Sequence, residues 1–467
     1  MFNSELNKYI NNIAIIDDND IELTYNDLFS LSDSLNKHLT EKSLIFTLCE
    51  NTIGSIIGYF TFLNNKHVQL MLDATIDPIK LQNLISLYNP NYLWVPNTSL
   101  EQFFNSTIIF SNWNYSLIRL STTNVLMHED LSLLLTTSGS TGSPKLVRLS
   151  FSNILSNAKS IAQYLKITDL ERPITSLPMN YSYGLSVINS HLINGATILL
   201  TNFSVVQKEF WNFVKNKKAT SIAGVPYTYQ MFKMLRFVNM DLPYLKNLTQ
   251  AGGKLSSNLV KEYSDYAIKN NKEFIVMYGQ TEATARMSYL PFNMSQEKYE
   301  SIGIPIPGGK FSLIDLQDKT IIHRSNIEGE LIYQGPNVSL GYARNFTDLA
   351  KGDENLGKLY TGDIAYKDED GYYFITGRLK RFIKIYGNRV NLDEIEQIIL
   401  SNNIECACDG VDDKMTIYTT SKDKVEEILN LLTSILKLNF RAFDIRIISE
   451  IPKSFAGKVL YTQLKDL

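Results

Sequence analysis

The chain has 467 residues, enough for two or three domains, and its 44% hydrophobic and 20% charged residues are ordinary for a globular protein. The formal charge of −3, from 45 basic and 48 acidic residues, argues against a protein that binds nucleic acid through its overall charge. Three cysteines are too few for a disulfide framework, which excludes the class of small disulfide-stabilised secreted domains.

The sequence predicts neither a secretion signal nor a membrane span. Residues 1–12 carry early charges and no apolar core. The longest apolar stretch, residues 53–63, has about half of the ~20 residues that a membrane-spanning helix needs. Cys406 and Cys408 have no histidine nearby, so we interpret them as half-buried thiols rather than zinc ligands. Together these features predict a soluble, cytoplasmic protein.

Up to about residue 275, helix-like segments alternate with short β-branched or aliphatic runs. Helices are predicted over residues 25–39 and 152–165, the second with Ser152 as its N-cap. Strands are predicted over residues 92–95, 107–110, 131–137, 197–201, 221–225 and 274–277. This alternation favours α/β layers with largely parallel sheets.

The pattern changes in the last third of the chain. Short strands separated by Gly, Asp and Pro turns are predicted over residues 311–315, 330–334 and 372–376. Beyond Gly377 the predicted elements are strands at 382–385 and 389–391, a helix at 392–400, strands at 405–411 and 415–419, a helix at 422–438 and a strand at 444–448. The predicted fold class is therefore α/β. The chain is predicted to form two domains. Residues 1–378 make a large N-terminal domain of layered α/β subdomains plus a β-rich subdomain, and residues 379–467 make a small α+β C-terminal domain.

A loop rich in hydroxyl groups and glycine follows the predicted strand 131–137. Glycines let the backbone bend so that successive N–H groups converge on an anion, and hydroxyls and a lysine add further donors. The spacing is not that of the usual P-loop, and such a loop alone is more often a mobile turn. As an anion site the loop would use Thr137, Ser138, Gly139, Ser140, Thr141, Gly142 and Lys145.

A second candidate segment, residues 274–282, ends a predicted strand with the sequence YGQTE. In a parallel α/β sheet, ligands bind at the carboxyl ends of the strands. Gly279 leaves room for a flat ligand, Tyr278 can stack on a base, and Glu282 can hold a hard cation such as Mg²⁺. Taken alone, the segment is more typical of a strand end with a polar turn.

Two further segments contain charged candidates. Asp363, in YTGD, lies fifteen residues before Arg378, in TGR. A carboxylate can accept hydrogen bonds from both hydroxyls of a ribose, and an arginine offers a rigid fork of N–H donors. Lys458 lies in PKSFAGK, where a basic residue on its own would usually be a solvated charge.

In this order, the segments TTSGSTGSPK, YGQTE, LYTGD, GRLKRFIKIYGNRVNLDEIE and PKSFAGK closely resemble the adenylate-forming superfamily of acyl-CoA synthetases, peptide-synthetase adenylation domains and beetle luciferases. Weaker matches, such as LTYNDL and AGGKL, extend the resemblance over nearly the whole chain. The implied nucleotide-binding residues are the loop residues named above together with Gly252, Gly253, Tyr278, Gly279, Gln280, Asp363, Ile375 and Arg378. The implied catalytic residues are Lys458, Thr281 and Glu282, of which Glu282 also binds Mg²⁺.

These residues suit the reaction that the resemblance implies. The α-phosphorus that a carboxylate attacks is shielded by negative charge, which cations and N–H groups must neutralise. The resemblance implies that Lys458 bridges the substrate carboxylate and the α-phosphate when the domains close. The small C-terminal domain, which is mobile in this family, would then rotate about Lys380 and present the loop around Gly387 to the thiol, a domain alternation.

Three positions bear on the acid. Tyr181 stands where acyl-CoA synthetases of this family often place a histidine, which disfavours a long straight acyl chain. Gly184 stands where amino-acid-activating relatives carry an aspartate, and an unpaired buried ammonium is costly, which disfavours an α-amino acid. Gly253 belongs to the glycine pair that borders the acyl pocket. A small or medium acyl acid is favoured over an aryl or sugar-linked acid.

The expected function is ATP- and Mg²⁺-dependent activation of a small-molecule carboxylic acid, followed by transfer of the acyl group to coenzyme A. An alternative acceptor is the phosphopantetheine of a carrier protein, or an amine. A third possibility is a nucleotide-binding protein without turnover, but Lys145, Glu282, Asp363, Arg378 and Lys458 are all present. We expect no nucleic-acid partner.

Overall fold

The computed structural model describes residues 6–39, 41–103, 106–121, 125–136, 145–386, 388–436, 438–454 and 457–464. The chain folds into layers of sheets and helices up to residue 378, here called the N-terminal part, and continues into a smaller C-terminal part. The α-helices, in chain order, are Tyr25–Asn36, Ile53–Asn64, Pro78–Tyr88, Phe151–Tyr164, Ser182–Leu192, Lys208–Asn216, Pro226–Met234, Ser257–Lys269, Leu392–Ser401, Val425–Leu436 and Tyr461–Leu464.

The strands are numbered in chain order. The first half of the chain contributes β1 Ile13–Asp17, β2 Glu22–Thr24, β3 Leu44–Cys49, β4 Val68–Asp73, β5 Tyr92–Pro96, β6 Thr107–Asn112, β7 Tyr115–Arg119, β8 Leu131–Thr136, β9 Leu146–Ser150, β10 Pro173–Ile174, β11 Ile198–Leu200, β12 Ser221–Gly224 and β13 Asn247–Gln250. The second half contributes β14 Glu273–Tyr278, β15 Ser288–Tyr289, β16 Ile304–Pro305, β17 Lys310–Ile314, β18 Ile321–Ile322, β19 Gly329–Gln334, β20 Gly341–Ala343, β21 Lys358–Lys367, β22 Tyr373–Arg378, β23 Phe382–Ile385, β24 Asn388–Asn391, β25 Cys406–Val411, β26 Lys414–Thr419 and β27 Phe443–Ile447.

Two mixed sheets form the layers of the N-terminal part. One has the order β16-β15-β14-β13-β12-β10-β11-β1-β2, and its strands from β14 to β1 are parallel. The other has the order β20-β9-β8-β4-β3-β5-β7-β6, and only its centre, β8 to β5, is parallel. The predicted α/β class is confirmed, although hairpins add antiparallel strands at both edges of the second sheet.

The β-rich subdomain is an antiparallel sheet with the order β18-β17-β19-β21-β22. Its last two strands pair so that Asp363 lies opposite Arg378. Since cross-strand neighbours in an antiparallel pair lie within side-chain contact, this register brings the two charges together.

The C-terminal part contains the hairpin β23-β24 and the sheet β25-β26-β27. Its buried aliphatic residues form a cluster of their own, which draws only on residues between Ile383 and Ala442, with partly buried neighbours up to Ile445. The Asn391 side chain caps the helix Leu392–Ser401 and also donates to the Thr376 carbonyl of the N-terminal part, at 2.8 Å.

Predicted boundaries agree with the observed elements to within a few residues, with one correction of a cap. The helix predicted at 152–165 is Phe151–Tyr164, and its N-cap is Ser150 rather than Ser152. The Ser150 hydroxyl accepts from the Asn153 N–H at 3.0 Å, and the Asn153 side chain accepts from the Ser150 N–H at 2.9 Å. This reciprocal capping box needs a partner three residues after the cap, which Asn153 supplies for Ser150.

Among the described residues, no helix has both the length and the apolar character needed to cross a membrane.

Candidate active site

The buried carboxyl group of Asp363 is the centre of the site. Arg378 Nε donates to its Oδ1 at 3.1 Å, and Gln280 Nε2 donates to its Oδ2 at 3.0 Å. The Tyr278 hydroxyl donates to the same Oδ2. Asp363 is 2% exposed, whereas the Arg378 side chain is 63% exposed. The end of β14 and the pair β21-β22 therefore meet at a carboxyl with three donors, one of which belongs to a solvent-facing arginine.

Opposing effects act on the charge of this carboxyl. Burial raises the pKa of Asp363, while Arg378 and the hydrogen bonds from Tyr278 and Gln280 lower it. Asp363 in turn raises the pKa of Arg378. The pKa of Asp363 is raised on balance, so the donors and the guanidinium offset only part of the desolvation that a buried carboxylate suffers.

Glu282 is joined to the start of β9 through an aromatic side chain. The Tyr342 hydroxyl donates to Glu282 Oε1 at 2.8 Å. Lys145 Nζ lies 3.9 Å from the centroid of the Tyr342 ring, a cation–π distance. Tyr342 is on β20, where it pairs with Val147 of β9. Sequence reasoning missed Tyr342, because nothing in the local sequence marks it as a neighbour of Glu282.

Thr281 lies beside Glu282 and contacts the opposite wall of the site. Its hydroxyl is 3.1 Å from that of Ser182, the first residue of the helix Ser182–Leu192. Gly279 has no space for a side chain, because a Cβ there would overlap the Ala285 carbonyl group. Ile375, on β22, packs at the edge of the hydrophobic cluster that Tyr278 also adjoins.

Lys458 brings a charge from the C-terminal part. The residue is half-buried, and both burial and Arg378 lower its pKa, while Asp363 and Glu282 raise it. A Cβ built on the adjacent Gly457 would lie 3.1 Å from Tyr227 Cβ. The loop that carries Lys458 therefore lies against the helix Pro226–Met234 of the N-terminal part, with its lysine within electrostatic reach of the Asp363 cluster.

Of the predicted acyl-binding residues, Tyr181 lies against Gly252, the neighbour of Gly253, and immediately precedes Ser182, whose hydroxyl is near that of Thr281. Gly252 has φ +84°, and a Cβ there would lie 2.6 Å from the Tyr181 hydroxyl oxygen, so the position requires glycine for both conformation and space. The Gly253 carbonyl accepts from Gln250 Nε2 at 2.9 Å. Gly184 packs its Cα against the Pro178 carbonyl. Burial raises the pKa of the half-buried Tyr181 to about 12.

Lys380 does not join these groups; it is exposed in the 3₁₀ turn Leu379–Arg381. Its neighbour Arg381 is bound within the C-terminal part, where Nε donates to Asp393 at 2.7 Å and Nη2 donates to Glu396 at 2.6 Å. The Tyr461 ring lies 3.9 Å from the Arg381 guanidinium, and its hydroxyl donates to Glu396. Lys380 thus stands between Arg378, tied to Asp363, and Arg381, tied to the C-terminal part.

Several predicted positions lie outside the described residues. They are Thr137, Ser138, Gly139, Ser140, Thr141, Gly142 and Gly387.

Comparison with known proteins identifies relatives of this chain. An oxalate–CoA ligase of Arabidopsis thaliana is 30% identical over 290 residues, which are 60% of this chain and 55% of the ligase. A luciferin 4-monooxygenase of Nipponoluciola cruciata is 26% identical over 359 residues, which are 72% of this chain and 64% of the relative. The matches span between about half and two thirds of the length of these relatives.

An o-succinylbenzoate CoA synthetase of Bacillus subtilis, solved with an acyl-adenylate intermediate, matches 100% of this chain and 98% of its own. The TM-score is 0.81 at 20% identity, which shows a shared fold. The same synthetase, solved with ATP and a magnesium ion, matches with a TM-score of 0.77 at 20% identity. A model of the family described as AMP-binding enzyme matches residues 2–343. With the family model covering most of its length, this chain belongs to the AMP-binding enzyme family.

Proposed function

We propose that the protein condenses a carboxylic acid with ATP, giving an acyl-adenylate and pyrophosphate. It then transfers the acyl group from the adenylate to the thiol of coenzyme A, which releases AMP and the thiol proton. The observation that carries the proposal is the buried Asp363 carboxyl, held by Tyr278, Gln280 and Arg378, with Lys458 beside it. The buried Asp363 carboxyl and the exposed Arg378 at a strand end suit a ribose and its phosphate. Lys458 supplies a second cation, which suits a reaction between two anions, the substrate carboxylate and the phosphate.

Each group has a role in the first half-reaction. Asp363 accepts hydrogen bonds from the ribose hydroxyls, and Arg378 donates to the nucleotide with the N–H groups that do not contact Asp363. Lys458 bridges the attacking carboxylate and the α-phosphate, where it offsets negative charge as the two approach. No general base is needed, because a carboxylic acid is already ionised at neutral pH.

Glu282 fits the magnesium ion that this family of reactions uses. Its Oε1 accepts from Tyr342, while its Oε2 accepts no hydrogen bond from the described residues. Mg²⁺ keeps several waters and takes one or two carboxylates together with phosphate oxygens, so one free carboxylate oxygen is sufficient. The bound ion supplies charge neutralisation at the phosphates. The acyl-adenylate and the ATP–magnesium complex of the Bacillus synthetase support this assignment by similarity of fold.

The second half-reaction uses a different arrangement of the two parts of the chain. We assign residues 1–378 to an ATP- and acyl-binding domain and residues 379–467 to a domain that rotates about Lys380 and brings the loop around Gly387 to the site. The separate hydrophobic cluster of the C-terminal part supports a unit that moves as a whole. Coenzyme A is favoured over a carrier protein as acceptor because curated relatives are named as CoA ligases. We also propose a cytoplasmic location, consistent with the buried free thiols Cys49, Cys406 and Cys408.

Exchange of labelled pyrophosphate into ATP, measured with a panel of acids, tests the adenylation step. We expect exchange that depends on the acid and on Mg²⁺, and loss of free thiol when coenzyme A is added to the best acid. Asp363→Ala should abolish exchange, whereas the control Asp318→Asn, in an exposed turn of the same subdomain, should not alter it. Silence across the panel, with ATP still bound, would instead favour a nucleotide-binding protein without turnover.

A further inference from the structure

The Tyr342 side chain connects Glu282 to the strand β20, and the proposed chemistry gives this tyrosine no role. Its hydroxyl lies 2.8 Å from Glu282 Oε1. A carboxylate can only accept hydrogen bonds, so the tyrosine is the donor and uses its one hydroxyl proton in this contact. Lys145 Nζ lies 3.9 Å from the centroid of the same ring. The tyrosine therefore fixes one carboxylate oxygen of Glu282 and leaves the other, Oε2, for a ligand.

The segment that precedes this tyrosine holds the same turn through backbone groups. The Ser339 N–H donates to the Glu282 carbonyl at 2.9 Å. The Asn337 side chain donates to the carbonyl of the next residue of the turn, Ala283, at 2.7 Å. Residues 337–342 thus hold both the main chain and the side chain of Glu282, so its carboxylate is kept in one orientation.

Arg148 fixes the backbone that carries Tyr342. Its side chain is fully buried, Nε donates to the Tyr342 carbonyl at 3.1 Å, and Nη2 donates to the Leu340 carbonyl at 2.9 Å. Its charge is paired with Glu354 at 2.6 Å. Between the two carbonyls, Gly341 has φ +119°, and a Cβ there would lie 3.0 Å from Arg148 Nη2. A buried guanidinium therefore sets the position of the tyrosine without the help of any ligand.

We propose that Tyr342 is a positioning residue for the bound Mg²⁺, because its hydroxyl holds Glu282 in an orientation that leaves Oε2 for the ion. The inference rests on the proposed function, which assigns Glu282 as the metal ligand. Groups that hydrogen-bond to a ligating carboxylate orient it before the metal binds, and their loss typically weakens metal binding by about 10- to 100-fold. Without this contact the carboxylate would lose rotational freedom each time the ion binds.

Binding of Mn²⁺ to the enzyme–ATP complex tests this role without turnover. Mn²⁺ is titrated into enzyme with an equimolar amount of ATP and no acid, and free Mn²⁺ is measured from its electron paramagnetic resonance signal. Tyr342→Phe removes the hydroxyl and keeps the ring beside Lys145. We expect this variant to raise the Kd of Mn²⁺ by about 10-fold or more. Its affinity for ATP in EDTA should change by less than about threefold, because the ring contact with Lys145 is kept.

Tyr88→Phe is the matched control, because Tyr88 is a buried tyrosine that also donates to β20 through its hydroxyl. Its acceptor is the carbonyl of Ala343, the residue after Tyr342, at 2.9 Å. This variant should lower the temperature of thermal unfolding and leave the Kd of Mn²⁺ unchanged. If Tyr342→Phe weakens Mn²⁺ binding no more than Tyr88→Phe does, the inference is wrong. It is also wrong if Tyr342→Phe weakens ATP binding in EDTA as strongly as Mn²⁺ binding, since that result indicates a general structural role.

The variant Glu282→Ala shows whether the hydroxyl acts through the carboxylate. In that background, Tyr342→Phe should change the Kd of Mn²⁺ by less than about twofold, because the group that it positions is absent. An equal effect of Tyr342→Phe with and without the Glu282 carboxylate would overturn the inference and leave the ligand assignment standing. If Glu282→Ala itself leaves Mn²⁺ binding unchanged, the ligand assignment of the proposed function fails as well.

Discussion

Replacing Lys458 by methionine should separate the two proposed half-reactions. The side chain is half-buried and close enough to Arg378, Asp363 and Glu282 for each to affect its pKa. Methionine has a similar length and no charge, so Lys458→Met removes the cation with little change of volume. The proposed function gives this lysine its role in adenylation only, so we expect that step alone to be slowed.

The size of the loss follows from the position of the charge. Removal of one fixed donor from a site that excludes water costs about 2.7–4 kcal/mol of transition-state stabilisation, or roughly 10²–10³ in rate. Arg378 already supplies positive charge nearby, so we expect a loss within this range rather than above it. The lowered pKa has a further consequence. The lysine is charged below its pKa, so adenylation should decline as pH rises, at a lower pH than for a free lysine.

Two assays report the half-reactions independently. Pyrophosphate exchange measures adenylation, and a synthetic acyl-adenylate supplied with coenzyme A measures thioester formation. We expect exchange to fall by about 100- to 1,000-fold and thioester formation to change by less than about threefold. The control Lys453→Met affects an exposed lysine of the same loop, paired with Glu405 at 2.5 Å, and should leave both rates unchanged. Equal impairment of both half-reactions by Lys458→Met would refute the reasoning.

Three further changes test other parts of the structure. Asp363→Asn removes the counter-ion of Arg378 and should raise KM for ATP by about 10- to 100-fold. Pyrophosphate exchange at varied ATP concentration measures this KM, and an unchanged value would exclude a role of Asp363 in binding the ribose. Glu282→Gln should shift the dependence of exchange on free Mg²⁺ to higher concentration, and an unshifted curve would exclude this ligand. His67 and His191 are buried with pKa values lowered to about 4, so the stability they contribute is present above pH 6.5 and is lost as pH falls towards 4. Urea unfolding should give about 4 kcal/mol less stability at pH 5 than at pH 7 from these two groups, and equal values would contradict the assignment.

Most helices and strands could be predicted from the pattern of apolar and polar residues, because strand and helix periodicities are local properties of the sequence. The hairpin β23-β24, the helix Leu392–Ser401 and the strands β25 and β26 were predicted to within two residues. Mixed edges of the sheets were not predicted, because pairing of β20 with β9 joins segments that are almost two hundred residues apart. Local sequence carries no information on such a contact.

The same distinction applies to the candidate site. Sequence motifs predicted Asp363, Arg378 and Tyr278 as site residues, and the structure brings these side chains into contact. Tyr342 was missed, because its place in the site depends on a neighbour that only folding supplies, the Glu282 carboxylate. In the sequence alone, a tyrosine that contacts a site residue cannot be distinguished from any other tyrosine.

The two arginines around Lys380 limit how the parts of this protein can move. Arg378 is fixed by Asp363, and Arg381 is fixed by Asp393 and Glu396, so only Leu379 and Lys380 lie between the anchors. Each residue has two soft backbone dihedral angles, and the proposed rotation must be absorbed by these few torsions. A connection this short keeps the effective concentration of Lys458 at the nucleotide far above that of a domain on a flexible tether, so the return to the adenylation arrangement requires no diffusive search.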